Sequence, residues 1–411
     1  MSTLRKNMSY LFFINITNYI FPLLTIPYIA RIIGPEGVGK LGLAQAVITY
    51  MIFFVDFGYN LTATRDISGC KNINERSVIF TSVILTKIAL FCISLVMIQV
   101  LISFMPQYQS IANLLYIGTL QILGMAFFPV WLFQGMQKMG QLAIYNTVMK
   151  FSGTILIFLF VHNSSQIYVI MFIQSVTFPL ISILTFILLY KNKMAYLTRV
   201  SFSDVKKNFF ISFPVFVSSI FTSAYTTLNT LFLSFYMSSY YIGIFSSADK
   251  VRGIMQSCMS PVQQTIYPHV ASKRTDATLL NKQITMYGTR FICFAFVMSL
   301  SAFLLSKYIM LVLFGEEFSP SVNVFRILCW LPFVTSIAIV FGQWGLLNLD
   351  GQSLLGKIYG ISGVLHLFYV FLFIRNWELM GLASAILITE SLVSIVMYFA
   401  YVSKLKKTIA I

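Results

Sequence analysis

Asp249, Lys250 and Arg252 stand together inside a stretch that is otherwise apolar or small. At helical spacing Asp249, Arg252, Gln256, Ser260 and Gln263 share one face. Asp249 and Arg252 lie three positions apart, so a carboxylate and a guanidinium can pair directly. Lys250 projects about 100° away and adds a second cation on a neighbouring face. Two cations beside one carboxylate suit capture of an anion, above all a phosphate, which the guanidinium fork binds through parallel donors. The plainer alternative is a structural ion pair that fixes helix packing, but it leaves Lys250 without a role.

Other ionisable groups raise the same question. Asp56, Lys87, Lys150, Arg290 and Glu390 fall well inside apolar runs, where an ionisable side chain is costly and therefore a functional candidate. Lys307 is expected to snorkel to the headgroups from a helix end; Arg31 and Arg326, also near ends, could do so or face inward. The deep cations outnumber the deep carboxylates, which favours an anionic over a cationic ligand. Two milder polar stripes mark single faces: Asn15, Asn18, Pro22 and Thr25, and later Ser219, Thr222, Thr226 and Asn229. Each suits either cavity lining or helix–helix contact through small and hydroxylic residues. Three scattered histidines and five cysteines without paired spacing give no metal-site pattern. No catalytic constellation stands out.

Something must hold these groups, and composition says what. Of 411 residues 58% are hydrophobic and only 10% charged, against roughly 25% charged in soluble domains. Forty Phe and a net charge of +16 complete the picture of a chain built for lipid. A soluble enzyme, a disulfide scaffold and a disordered chain are excluded, and the basic surplus is read within a membrane topology rather than as nucleic-acid binding. A window of about 20 apolar residues gives about twelve spans. They run near 9–32, 41–63, 78–104, 111–133, 142–161, 167–190, 209–236, 241–268, 286–314, 322–347, 355–374 and 379–402. The first is expected to be an uncleaved span, since no small-residue cleavage site follows it. Lys and Arg concentrate in alternate connections, which predicts that both termini are cytoplasmic. No connection is large enough to house an extramembrane catalytic domain.

The polar stretch Lys191 to Lys207 cuts the chain near its middle. The expectation is an all-α polytopic membrane protein of two six-helix lobes, residues 1–200 (including the start of the central loop) and 201–411. Phe21-Pro22 and Phe213-Pro214 open the two halves alike, as do Val38-Gly39 and Ile242-Gly243 with Ala44 and Ala248 following. Parallel duplication would place a substrate site between the halves and let access alternate by rocking.

Several motifs resemble those of polysaccharide-export flippases of the Wzx type. They are Ile33-Gly34-Pro35-Glu36-Gly37-Val38-Gly39, Asp56-Phe57-Gly58-Tyr59 with Arg65-Asp66-Ile67, Trp131-Leu132-Phe133-Gln134-Gly135-Met136, Ser247-Ala248-Asp249-Lys250-Val251-Arg252 and Gly381-Leu382-Ala383. The resemblance covers essentially the whole chain. It implies a MATE-like fold within the multidrug/oligosaccharidyl-lipid/polysaccharide exporter superfamily. It also implies translocation of undecaprenyl-diphosphate-linked oligosaccharide units, of O-antigen or capsule type, from the cytoplasmic to the periplasmic leaflet of a bacterial inner membrane. Arg31, Lys250, Arg252 and Arg290 would then bind substrate, with Asp56, Asp249 and Glu390 serving ion coupling or charge pairing. Asn18, Gln256, Gln263, Thr222 and Asn229 are the expected polar cavity lining. No cofactor is expected beyond a coupling proton or sodium ion. The expected partners are the lipid-linked glycan, membrane lipid, and a polysaccharide polymerase with its chain-length machinery. Two alternatives stay open: an ion-coupled drug exporter of the same fold, and a membrane polymerase or ligase of lipid-linked glycans.

Overall fold

The computed structural model describes the backbone of residues 2–226 and 228–409. The side chains of residues 2–20, 22, 218, 221, 222 and 224–226 lie outside the described residues. Every regular element described is helical. The order begins α1 (Ser2–Asp56), α2 (Tyr59–Gly69), α3 (Ile73–Phe104), α4 (Pro106–Gln109), α5 (Ala112–Phe127), α6 (Val130–Gly135), α7 (Met139–Phe160) and α8 (Ile167–Lys191). It continues α9 (Phe202–Thr226), α10 (Asn229–Ser234), α11 (Ser239–Ala271), α12 (Ala277–Gln283), α13 (Thr289–Leu304) and α14 (Ser306–Phe314). It ends α15 (Ser321–Leu328), α16 (Leu331–Ala338) and α17 (Gln352–Ile409). Two π-helical turns, Ile284–Gly288 and Ile339–Gly345, interrupt the α pattern.

Among the described residues, eight helical stretches are long and apolar enough to cross a bilayer. Two of them, Leu23–Gly69 and Gln352–Ile409, contain 47 and 58 residues. At 1.5 Å per residue these would measure about 70 and 87 Å if straight, more than twice a ~30 Å hydrocarbon core. Each bends once. Gly34 takes φ 67° and ψ 179° ahead of Pro35, which lacks the N–H a continuous helix would need. In α17 the bend is at Glu378, φ 51° and ψ −129°. Counted as two arms each, these stretches give ten of the twelve expected segments. The other two correspond to α9 and α11. The chain is thus an all-α polytopic membrane protein.

Boundaries differ from expectation where the backbone is forced. The second segment was expected to run through residue 63, but Phe57 and Gly58 both have positive φ, 50° and 80°, and end α1 at Asp56. The ninth was expected unbroken to 314; it breaks at Leu305, between α13 and α14. Many large apolar side chains stand exposed on the helices, among them Val96, Leu159, Ile187, Leu304, Phe368 and Phe399. Water would penalise such a surface and hydrocarbon satisfies it.

The chain divides into two compact units, Met1–Ser219 and Ile220–Ile411, so the division falls within α9 rather than in the loop before it. That loop is tied to unit 1: the amides of Tyr196 and Thr198 donate to Ser77 Oγ (3.1 Å) and Thr81 Oγ1 (3.0 Å) on α3. Ser201 and Asp204 then exchange bonds across the first turn of α9, satisfying donors that a helix start leaves open. In unit 2, Trp344 and Phe291 pack with ring centroids 5.1 Å apart in a core with Met397 and Tyr401.

Candidate functional site

In unit 2, α11 carries the charged group. Asp249 Oδ1 accepts from Arg252 Nε at 2.8 Å and Nη2 at 2.7 Å, as the three-residue spacing requires. Both side chains keep some access, Arg252 25% and Asp249 36%. Lys250 beside them is half-buried. Glu390, on the second arm of α17, is half-buried and close enough to feel the charge of Arg252. Tyr359 and Tyr369, on the first arm of α17, lie within the field of Glu390. Asp249 thus lies within charge range of both Arg252 and Lys250 on α11, and Arg252 within range of Glu390 on α17.

The polar stripe of α11 continues into hydrogen bonds with neighbouring helices. Gln256 Oε1 accepts from Thr335 Oγ1 of α16 at 3.1 Å. Gln263 Nε2 donates to Gln343 Oε1, and Gln343 is also bonded to Tyr359. Gln343 lies in the second π-helical turn, a distortion often found at functional sites. Asn229 Oδ1 accepts at 3.0 Å from Nε2 of His366, whose Nδ1 is 2.6 Å from Thr389 Oγ1. Tyr369 also bonds Thr389. Gln256, Gln263 and Asn229 thus each hold one helix to another. Sequence reading missed His366, Tyr359, Tyr369 and Gln343, which carry no motif.

Within unit 2, one expected residue stands apart from this group. Arg290 is exposed on α13, and among the described residues no hydrogen bond or ion pair links it to Asp249, Arg252 or Glu390. Arg31 is exposed on α1, three residues before the Gly34 bend, in unit 1. The side chains of Asn18 and Thr222 lie outside the described residues. Arg326 donates from Nε to Ser306 Oγ at 3.0 Å, while Lys307 is exposed, as snorkelling needs.

Unit 1 holds a different arrangement. Lys87 Nζ donates at 2.9 Å to Asp56 Oδ1; the lysine is 2% exposed and the aspartate 19%. This pairing uses up one deep cation that the sequence alone left uncommitted. The turn after Asp56 explains its motif: Phe57 stacks between Phe209 and Phe216 with centroids 4.5 and 4.3 Å away. A Cβ on Gly58 would stand 2.9 Å from Val215 Cγ1, and φ of 80° favours glycine there in any case. The Trp131–Gly135 motif forms α6, which docks on α2: Thr64 Oγ1 donates to the Trp131 carbonyl at 3.2 Å, and Gly135 lies against Ile67. Two motifs distant in sequence are parts of one packing contact.

Comparison with known proteins agrees with this architecture. Residues 4–274 match the family described as polysaccharide biosynthesis protein, and the chain belongs to that family. An Escherichia coli K12 protein whose given name assigns it to O-antigen transport is 30% identical over 401 residues, covering 96% of each chain. A Shigella dysenteriae protein with the same kind of name is 28% identical over 394 residues, covering 96% of this chain and 99% of that one. Among solved structures, an inward-facing multidrug resistance MATE transporter superposes with a TM-score of 0.72 at 14% identity, over 94% of this chain and 96% of that one. The lipid II flippase MurJ, inward closed, gives 0.71 at 15% identity, over 98% and 89%. The fold is MATE-like, as the motifs implied.

Proposed function

We propose that the protein flips undecaprenyl-diphosphate-linked oligosaccharide units, of O-antigen or capsule type, from the cytoplasmic to the outer leaflet of a bacterial inner membrane. Both termini are cytoplasmic in this reading, and access alternates between the two sides. The anionic diphosphate head enters a cationic, water-accessible group while the prenyl tail stays in lipid. The observation that carries the reading is the pair of half-buried cations on α11, Lys250 and Arg252, with Asp249 holding the guanidinium in place through two bonds. A guanidinium anchored along one edge keeps its remaining donors for a second anion, and phosphate oxygens suit them. The names of the O-antigen relatives and of the MurJ neighbour support the same class of cargo.

Of the three deep carboxylates, Asp56 and Asp249 are each ion-paired within 3 Å. Among the described residues Glu390 has no ion pair at that range, which makes it the best placed to load and release a coupling proton. A polysaccharide polymerase and its chain-length machinery would receive the product. The protein acts as a transporter in this reading, not as an enzyme.

The test is complementation of a deletion strain. Lys250→Ala and Arg252→Ala should each abolish surface polysaccharide while the protein remains in the membrane at normal level. Losing charge-assisted bonds worth about 1.5–3 kcal/mol corresponds to roughly 10- to 100-fold weaker head-group binding. Normal export by both variants would overturn the phosphate-binding role. Resistance to cationic dyes, conferred by the wild type and lost in these variants, would favour the drug-exporter alternative.

A further inference from the structure

A pocket of about 640 Å³ lies between α5 and α8 in unit 1. It arises from a close contact followed by a mismatch in helix length. The two helices run parallel, with Gly118 against Met171 and Gly124 against Phe178 and Pro179. A Cβ at Gly124 would stand 2.4 Å from the Pro179 nitrogen, so only glycine lets the backbones meet there. Ser182 Oγ seals the contact by donating to the Gly124 carbonyl at 2.6 Å. One turn later α5 stops at Phe127, and the chain leaves the helix through the extended residue Phe128. Phe186 of α8 packs there between Phe127 and Phe80, with ring centroids 6.1 and 5.6 Å away. Beyond it α8 continues through Ile187 and Tyr190 to Lys191, past the end of α5.

The wall of the pocket is almost wholly hydrocarbon. Ile183, Ile187 and Tyr190 stand exposed along it. Ser182 is already bonded to the Gly124 and Phe178 carbonyls. Such a wall suits an apolar chain and penalises a polar ligand. From Pro179 to Tyr190 α8 rises about 17 Å, half of a ~30 Å hydrocarbon core and hence the depth of one leaflet. An acyl chain of that leaflet matches this length; the far longer undecaprenyl tail would overrun it.

The open end of the pocket is basic. Lys191 closes α8 and Lys193 follows, both exposed. The chain doubles back here, for the Lys193 amide donates to the Tyr190 carbonyl at 3.2 Å and the Met194 amide to the Leu189 carbonyl at 3.0 Å. Met194 and Ala195 are then buried, which holds both lysines within a turn of Tyr190. Among the described residues neither lysine is in an ion pair. No carboxylate follows until Asp204, which is bonded to Ser201. An apolar slot one leaflet deep thus ends at two uncommitted ammonium groups.

We propose that this pocket binds an anionic phospholipid, with one acyl chain between α5 and α8 and the phosphodiester at Lys191 and Lys193. A basic rim at the membrane surface attracts such head groups. On the topology proposed above, the lipid belongs to the cytoplasmic leaflet. The proposal is independent of the flippase reading, since it uses none of the groups assigned to cargo.

Native mass spectrometry of the full-length protein tests it. The protein is released from nanodiscs of equal parts phosphatidylglycerol and phosphatidylcholine, matched in their acyl chains. The wild type should retain one lipid, with phosphatidylglycerol favoured by about 30-fold, as two interfacial lysines supply. The double variant Lys191→Gln/Lys193→Gln, altered at two exposed positions, should keep a lipid but lose the preference. Ile183→Trp, which fills the pocket from its exposed side, should lose the retained lipid with its thermal transition unchanged. Equal retention of the two lipids by the wild type, or an undiminished preference in the double lysine variant, overturns the head-group assignment. A retained lipid that survives Ile183→Trp overturns the pocket. Displacement of phosphatidylglycerol by an equal amount of undecaprenyl phosphate would make the pocket a cargo-tail site and overturn the phospholipid reading.

Discussion

Asp56→Asn separates a structural ion pair from a working carboxylate. Lys87 is 2% exposed, and its ammonium donates to Asp56 Oδ1 at 2.9 Å. The amide preserves volume and can still accept a bond, but it leaves the ammonium without a counter-charge in a nearly closed place. Breaking a buried pair in this way costs about 3–5 kcal/mol, or roughly 150- to 5,000-fold in the folding equilibrium. The reverse change, Lys87→Met, strands a carboxylate that is 19% exposed and can recruit water, so it should cost less, about 1–3 kcal/mol. The double variant carries neither charge and should return to within about 1 kcal/mol of the wild type. Reversible unfolding of the purified protein in lipid bicelles, run as a double-mutant cycle, measures all three. A single Asp56→Asn cost below that of Lys87→Met, or a double variant as unstable as the sum, refutes the argument from burial. Export by a stable double variant would assign Asp56 to structure; loss of export would assign it to transport.

Further outcomes follow from particular residues. Gly381→Ala places a Cβ 1.9 Å from the Phe373 carbonyl oxygen, a contact only backbone movement relieves; the variant should be depleted from membranes, as an immunoblot would show, and normal levels would contradict the packing. Glu390→Gln should remove the sensitivity of export to a proton uncoupler together with most of its rate, whereas uncoupler-sensitive export in the variant would move the coupling elsewhere. Asp276 caps α12, where bonds from the Thr278 hydroxyl and the Leu279 and Thr278 amides hold its carboxyl below the usual 3.8. A folded value below the unfolded one adds stability that is present above pH 3.8 and is lost as pH falls through the folded value. The melting-temperature gap between wild type and Asp276→Ala should therefore narrow in acid, and a gap that widens there would contradict the cap.

Much of the fold was legible because lipid imposes a simple rule: apolar runs of span length must be helices. Gly34-Pro35 and Pro106 marked breaks through backbone chemistry that a sequence displays openly. The Glu378 bend falls in the gap expected between residues 374 and 379, although the sequence does not display that a non-glycine residue takes φ 51° there. The α11 pair was legible from a three-residue spacing. Its counterpart was not: Lys87 meets Asp56 across 31 positions and His366 meets Asn229 across 137, and no periodicity links residues on different helices. A cavity of unit 1 lined by Gln45, Gln121 and Gln174 was hidden for the same reason, because each glutamine comes from a different segment. The π-helical turn that presents Gln343 has no composition of its own to announce it.

The central claim is that this protein carries lipid-linked glycan units across the membrane. A clean deletion, followed by analysis of undecaprenyl-linked glycans and surface polysaccharide, tests it most directly. The account predicts complete repeat units accumulating on the inner leaflet, with the surface polymer lost and restored by the wild-type gene but not by Arg252→Ala. Single unpolymerised units reaching the cell surface, or glycans unchanged from the parent strain, would contradict it.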